Sequence, residues 1–407
     1  MRTFGCSWHL LLAAICGLAL SSGVAHAQKV VRIGAALELS GKMVAYGNAI
    51  LRGMEMATDA FGGSVAGQKI EILARDIQST NPGTISAMTD LLEKEKVDFI
   101  IGPVASGYVS VAVSPWRQRK PLWVVPGGTA AAFEQAVAGE PMVFHTQTMG
   151  HLYYASPARV LAAATGKSKK LAILYTDGGY GRSGIADATK IYTEAGFEIV
   201  AAEMVRENAA DMNPALQKIK LAKPDVLLCI MQGSDGIVAA KQIHVAKLGI
   251  PYLAGTGFPA FSYFSEAVGP DVAFGWTAGV TYLPGQSLPA DPKYPKIFPA
   301  AKDWEAAFTK KYNREPETLD VTGYVSAAML LLAIERAGGG DDRERVAKEL
   351  RNLDVQTPLG QGKFTPTPGG IVNQAFNELM AAQRQTGGKL VILWPKSRAT
   401  GEIKAIK

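Results

Sequence analysis

From residue 30 onward, short apolar runs alternate with longer stretches in which apolar residues recur at helical spacing. The runs at 30–37, 69–75, 98–101 and 122–125 are rich in Val, Ile and Leu, and predict strands covered on both faces. The stretches between them, 47–61, 81–96 and 107–118, predict helices, the second with Pro82 in its permissive first turn. The rhythm then repeats, with strands at 171–176, 197–205, 225–231 and 252–254 separated by helices at 180–195, 212–222 and 236–248. Past Trp276 the pattern changes to long helices at 296–312, 321–337 and 343–352. The end of the chain, 374–385 and 390–394 around Thr386-Gly387-Gly388-Lys389, predicts a β-hairpin.

Such an order argues an α/β fold of two doubly wound parallel-sheet lobes. Strands that arrive after the second lobe make the chain cross between lobes more than once, which leaves a hinged cleft.

The first residues stand outside this pattern. Arg2, an apolar run from Trp8 to Leu20 and the small-residue site Ala25-His26-Ala27 make residues 1–27 a secretory signal peptide, with Gln28 as the new N-terminus. Ile15 before Cys16 is too bulky for a lipid-anchor site, so a soluble exported protein is expected, and no later run is expected to approach the roughly 20 apolar residues of a membrane span. Two of the 3 cysteines leave with the leader, and Cys229 sits in the apolar run 226–230 as a buried thiol. An exported chain of this size needs no disulfide to build its cores. The 48% hydrophobic content suits a globular protein, and the net charge of +6 is scattered without a basic block, which excludes nucleic acid as a partner class.

Enzyme chemistry is poorly represented. Beyond the leader the histidines are His145, His151 and His244, whose spacing suits no zinc site, and no nucleophile elbow, zincin motif or P-loop is present. Gly179-Tyr180-Gly181-Arg182-Ser183-Gly184 follows a strand, opens a helix and precedes Glu203, as a dinucleotide fingerprint would. Against it stand the bulky Tyr180 inside the turn, its place in the second lobe and an exported compartment without a nicotinamide pool. No catalytic residue, metal or cofactor is expected.

What remains is a set of hydroxyl, aromatic and amide residues at strand ends: Ser40 and Tyr46, Ser106, Gly127 and Thr129, Asp177 and Tyr180, Gln232, and Thr256. Singly, each Ser or Thr reads as a helix cap; together they lie where open α/β sheets bind ligands, at the carboxyl ends of strands. Ser106 and Thr129 stand beside unpaired first-turn N–H groups, which suits a small anion.

The chain resembles the periplasmic substrate-binding proteins of ABC importers of the leucine/isoleucine/valine-binding type. The likeness rests on Ile33-Gly34, Leu39-Ser40-Gly41, Ala45-Tyr46-Gly47, Gly53 to Ala57, Ile101-Gly102-Pro103 with Ser106, and Pro126-Gly127-Gly128-Thr129. It continues in Asp177-Gly178-Gly179-Tyr180-Gly181, Tyr324, and Pro358-Leu359-Gly360 before Phe364, and covers nearly the whole mature chain. It implies two lobes joined by a three-stranded hinge, with 28–147 and 278–355 in the N-terminal lobe and 148–277 and 356–407 in the C-terminal lobe. It further implies a monomer that closes on a small-molecule ligand in the periplasm and docks on an inner-membrane permease. Residues matching Ser106, Gly127 and Thr129 would hold a ligand carboxylate, and Tyr46 and Tyr180 would cover the ligand. This chain departs from the amino-acid binders: Thr256 stands where they place an acidic residue for the ligand ammonium, and Gln232-Gly233 where they place a Tyr. Asp177 or Asp235 could replace that charge. Expected ligands are therefore a branched-chain amino acid or an aromatic or other organic acid, with a neutral amide or urea-like solute as the alternative. A solute sensor feeding a membrane receptor is the other expected role.

Overall fold

The computed structural model describes residues 29–167 and 169–406; the expected signal peptide, 1–27, lies outside the described residues. Strands β1 (Val30–Leu37), β2 (Ser64–Val65), β3 (Gln68–Asp76), β4 (Phe99–Ile101), β5 (Leu122–Val125) and β6 (Val143–His145) form one sheet in the order β2-β3-β1-β4-β5-β6. A second sheet takes β7 (Lys170–Thr176), β8 (Glu198–Val205), β9 (Val226–Ile230), β10 (Tyr252–Gly255) and β11 (Trp276–Val280) in parallel. Its antiparallel edge is the C-terminal hairpin, β14 (Met380–Arg384) and β15 (Leu390–Trp394), and a separate hairpin pairs β12 (Asp354–Thr357) with β13 (Gly360–Lys363). Both parallel sheets reverse direction at their first strand, where β1 lies between β3 and β4 and β7 between β8 and β9. The two doubly wound lobes expected from the apolar rhythm are present.

Elements missing from the sequence reading have physical reasons. Strand β6 is three residues long and ends in His145. Helix Gly150–Ala164 starts on Gly and carries Pro157, both poor helix signals, yet buries Tyr153, Tyr154 and Leu161. The helix expected from 296 begins at Ala301, because Pro299 disfavours helical backbone at the residue before it. The strand expected from 374 begins only at Met380, since Asn373 and Gln374 spend their side chains on the backbone of other segments.

Helix Thr318–Ala337 corrects one expectation. It is long and apolar enough to cross a membrane by length and composition, with mean hydropathy 1.4, but 89% of that window is buried inside the first lobe. There it packs on helix Val44–Ala60, with Gly53 and Gly323 letting the backbones approach.

The chain passes between lobes after β6, after β11 and before β14. Val355, Phe364, Ala375 and Phe376 belong to the first lobe's core, so the last passage falls beyond Phe376 rather than at 356. Gln374 stitches two of these passages together: its Oε1 faces His145 Nδ1 at 2.6 Å, and its Nε2 donates to the Gln147 and Phe376 carbonyls at 2.7 and 2.8 Å.

Candidate functional site

Between the lobes the carboxyl ends of seven strands meet around one cavity. The segments after β1, β4, β5 and β6 supply Tyr46, Val104 to Ser106, Pro126 to Thr129, and Gln147. The segments after β7, β9 and β10 supply Tyr180, Gln232, and Thr256, Gly257 and Phe261, and Tyr153 and Leu319 complete the wall. Seven of the nine strand-end residues are thus brought together: Tyr46, Ser106, Gly127, Thr129, Tyr180, Gln232 and Thr256, while the Ser40 hydroxyl donates to Asp76 Oδ2 at 2.6 Å instead. Asp177 is not among the lining residues; its Oδ1 accepts the Glu207 N–H at 2.7 Å. Asp235 also stands outside the wall, buried and accepting the Asn208 N–H at 2.8 Å. Neither carboxylate supplies the charge that Thr256 lacks.

The wall's chemistry is neutral throughout, for no Asp, Glu, Lys, Arg or His lines it. Helix Ser106–Arg119 starts at Ser106 itself, with Ala105 as its N-cap, and the short helix Ala131–Ala136 is capped by Ala130. The N-caps are alanines without a side-chain acceptor, so Ser106 and Thr129 do not cap their helices as expected, and the Thr129 hydroxyl pairs with Tyr180 across the cleft. The two strand ends touch closely: the Gly128 N–H donates to the Val104 carbonyl at 2.8 Å. A Cβ on Gly127 would come within 2.0 Å of the same oxygen, which is why Gly stands there.

Opposite them, burial pushes the Tyr180 hydroxyl up to about 12, while hydrogen bonding with Thr256, Tyr154 and Thr129 pulls it down. It is a neutral donor at any physiological pH. The three-glycine turn around it serves packing. A Cβ on Gly181 would meet the Thr176 carbonyl at 2.1 Å, and one on Gly184 the Tyr154 hydroxyl at 2.2 Å. Tyr46 spans the lobes, 5.8 Å from the Phe261 ring centroid and with its hydroxyl 3.4 Å from that of Tyr263. The mouth of the cleft is bridged by the Lys42–Glu207 ion pair at 3.6 Å and by Glu317 Oε1 accepting the Ser262 N–H at 2.9 Å.

Two buried charged residues that the sequence reading missed support this wall. Arg384 donates to the carbonyls of Pro259, Ala260, Phe261 and Gly388 at 2.6–2.9 Å, fixing the segment that carries Phe261. Arg384→Met is expected to lower stability by about 3 kcal/mol in urea unfolding, since several buried acceptors lose a charged donor at once. Glu38, fully buried just after β1, accepts the Val104 and Ala105 N–H groups at 3.1 and 2.9 Å. Burial pushes its carboxyl up to about 7 from an ordinary 4.5, against the backbone donors that pull it down. Its neutral form is the one folding favours, so its stabilising effect is complete below pH 4.5 and is lost as pH rises through about 7. Glu38→Gln is expected to remove that decline from a series of urea unfolding curves between pH 5 and 8, a window set by linkage between the two pKa values, roughly.

These features define a two-lobed α/β protein with a cleft between its lobes. The chain belongs to the periplasmic binding protein family, which it matches over residues 30–389. Leu/Ile/Val-binding protein homolog 7 of Brucella abortus is 26% identical over 418 residues, spanning 97% of this chain and 98% of the relative. Among solved structures, the leucine-binding protein LivK of Thermotoga maritima superposes with a TM-score of 0.77 at 22% identity, covering 89% of this chain and 98% of its own. A solute-binding protein of an R. palustris ABC transporter, in complex with benzoate, superposes with 0.77 at 23% identity, covering 93% and 97%. These structural likenesses establish a shared fold.

Proposed function

We propose that this chain is the periplasmic receptor of an ABC importer for an aromatic monocarboxylate. The observation that carries the reading is a cleft with neutral donors at Ser106, Gly127 and Thr129, an aromatic wall of Tyr46, Tyr153, Tyr180 and Phe261, and no charged side chain. A carboxylate gains charge-assisted hydrogen bonds from hydroxyls and helix-start N–H groups. The ammonium of an α-amino acid would enter the same cleft without a carboxylate partner, and desolvating an unpaired cation costs several kcal/mol. A planar ring instead gains offset or edge contacts with the tyrosines, worth roughly 0.5–1.5 kcal/mol per pair. The R. palustris neighbour in complex with benzoate and the leucine-binding neighbour superpose equally well, so the choice between the two ligand classes rests on the chemistry of the cleft. The expected leader, residues 1–27, would deliver the chain to the periplasm, and an inner-membrane permease would take the closed form.

A thermal-shift panel of benzoate, 4-hydroxybenzoate, leucine, isoleucine and acetamide tests the assignment. Ligand at a hundred times its Kd adds about 2.7 kcal/mol to apparent stability, so a rise of several degrees with the aromatic acids alone is expected. Stabilisation by leucine or isoleucine without any by benzoate would overturn it.

A further inference from the structure

Beneath the cleft floor lies a fully buried carboxyl that accepts two backbone N–H groups. Glu38 sits at the reversal point of the first sheet, between β1 and the loop after β4. The groups that face it are Asp76 from the end of β3, Tyr46 from the first helix and Tyr108 from the helix that starts at Ser106, all acids or phenols. Glu207, which faces Tyr108, is already paired with Lys42. The amides that Glu38 holds belong to Val104 and Ala105, both of which line the cavity, and the next residue is Ser106. A ligand carboxylate on Ser106 and the Glu38 carboxylate would thus lie on two sides of one short loop.

We propose that Glu38 is a positioning residue that sets the Val104–Ser106 loop and takes up a proton when a carboxylate ligand enters the cleft. The inference rests on the carboxylate reading of the site given above. Protonation weakens the hold on the loop without breaking it, because a neutral carboxyl still accepts both N–H groups on Oε1 while Oε2, at 3.4 Å from the Val104 nitrogen, carries the proton. It removes a like charge from a buried anion site, where water screens it poorly. The carboxyl already stands near neutrality before ligand arrives, at about 7. An anion beside it raises it further, so ligand binds the protonated form more tightly and affinity falls as pH rises through that value.

Isothermal titration at pH 6 and pH 8 tests this, with benzoate, 4-hydroxybenzoate, leucine and isoleucine as probes, each in two buffers of different ionisation enthalpy. For whichever carboxylate binds, affinity is expected to be about tenfold weaker at pH 8 than at pH 6, the ratio linkage gives for a free-state value near neutrality. The observed heat at pH 8 should follow the buffer's ionisation enthalpy, which reports proton uptake. In Glu38→Gln, which preserves the acceptor for Val104 and Ala105, binding persists while both dependences vanish. A purely structural role for Glu38 would leave the dependences in place. Equal wild-type affinity at both pH values with buffer-independent heats would overturn the inference, as would a pH dependence that survives in Glu38→Gln. Failure of every carboxylate to bind at either pH would instead overturn the carboxylate reading, and this inference with it. Should Glu38→Gln fail to fold, carboxyl-carbon NMR of Glu-labelled wild-type protein reads the same proton. A signal titrating near neutrality that moves upward with the bound carboxylate supports the assignment, and its absence overturns it.

Discussion

Replacing Ser106 and Thr129 together by Ala is expected to weaken binding of an aromatic acid about a hundredfold while leaving the melting temperature within a degree or two of wild type. The affinity loss follows from two hydrogen bonds to a charged ligand group, together worth about 3 kcal/mol, at 1.4 kcal/mol per factor of ten. The unchanged stability follows from the observed caps. A Ser or Thr that caps a helix costs about 1 kcal/mol when removed, but these helices are capped at Ala105 and Ala130 without side-chain bonds. Calorimetry and thermal unfolding on the same sample check both halves. A double variant that binds like wild type would remove these hydroxyls from the site; one that loses several degrees would return them to a structural role.

Gly127→Ala is expected to be far more damaging than its single methyl suggests. The new Cβ would press to 2.0 Å from the Val104 carbonyl oxygen, an atom already fixed by the Gly128 N–H. Either the loop after β5 lifts or the loop after β4 is pushed away, and both carry lining residues. Overpacking of this kind costs about 3 kcal/mol, so a loss of that size in urea unfolding is expected, with benzoate binding reduced below detection. Gly107→Ala is the matched control. Beyond its chain neighbours and its own helix turn, no atom lies within 4 Å of its Cβ position, and Ala is the better helix former, so stability should hold or rise slightly.

The lobes were legible in the sequence because parallel strands covered on both faces leave continuous apolar runs, and most of these coincide with β1, β5, β7, β9 and β10. Seven lining residues were legible for a related reason, since ligand cleft and strand ends coincide in open α/β sheets. Asp177 satisfied the same rule, yet its carboxylate is taken by the Glu207 backbone; position after a strand does not say where a side chain points. Gln147 went unnoticed because strand β6 before it did, Phe261 because it lies six residues past the end of β10, and Tyr153 and Leu319 because they lie in helices that tertiary contacts alone bring to the cavity. Glu38 and Arg384 left no local signal at all. Each is a charged residue beside or at the end of a strand, where solvent is the default reading. Their partners lie 66 and 67 residues away for Glu38, and 123 to 125 away along the Pro259–Phe261 segment for Arg384.

His145 gives the cleft floor and the hinge a shared dependence. Its ring is fully buried, with Nε2 at 2.5 Å from the Gly127 carbonyl and Nδ1 at 2.6 Å from Gln374 Oε1. Both neighbours are acceptors, because the Gln374 Nε2 is committed to the Gln147 and Phe376 carbonyls. Burial pushes the imidazole pKa down, so at neutral pH the ring carries one N–H. One proton thus serves two oxygens. The tautomer with hydrogen on Nε2 grips the loop that presents Gly127 and Thr129, and the tautomer with hydrogen on Nδ1 grips the strap between the lobes. A shift between the two tautomers would therefore exchange a bond to the loop after β5 for a bond to Gln374.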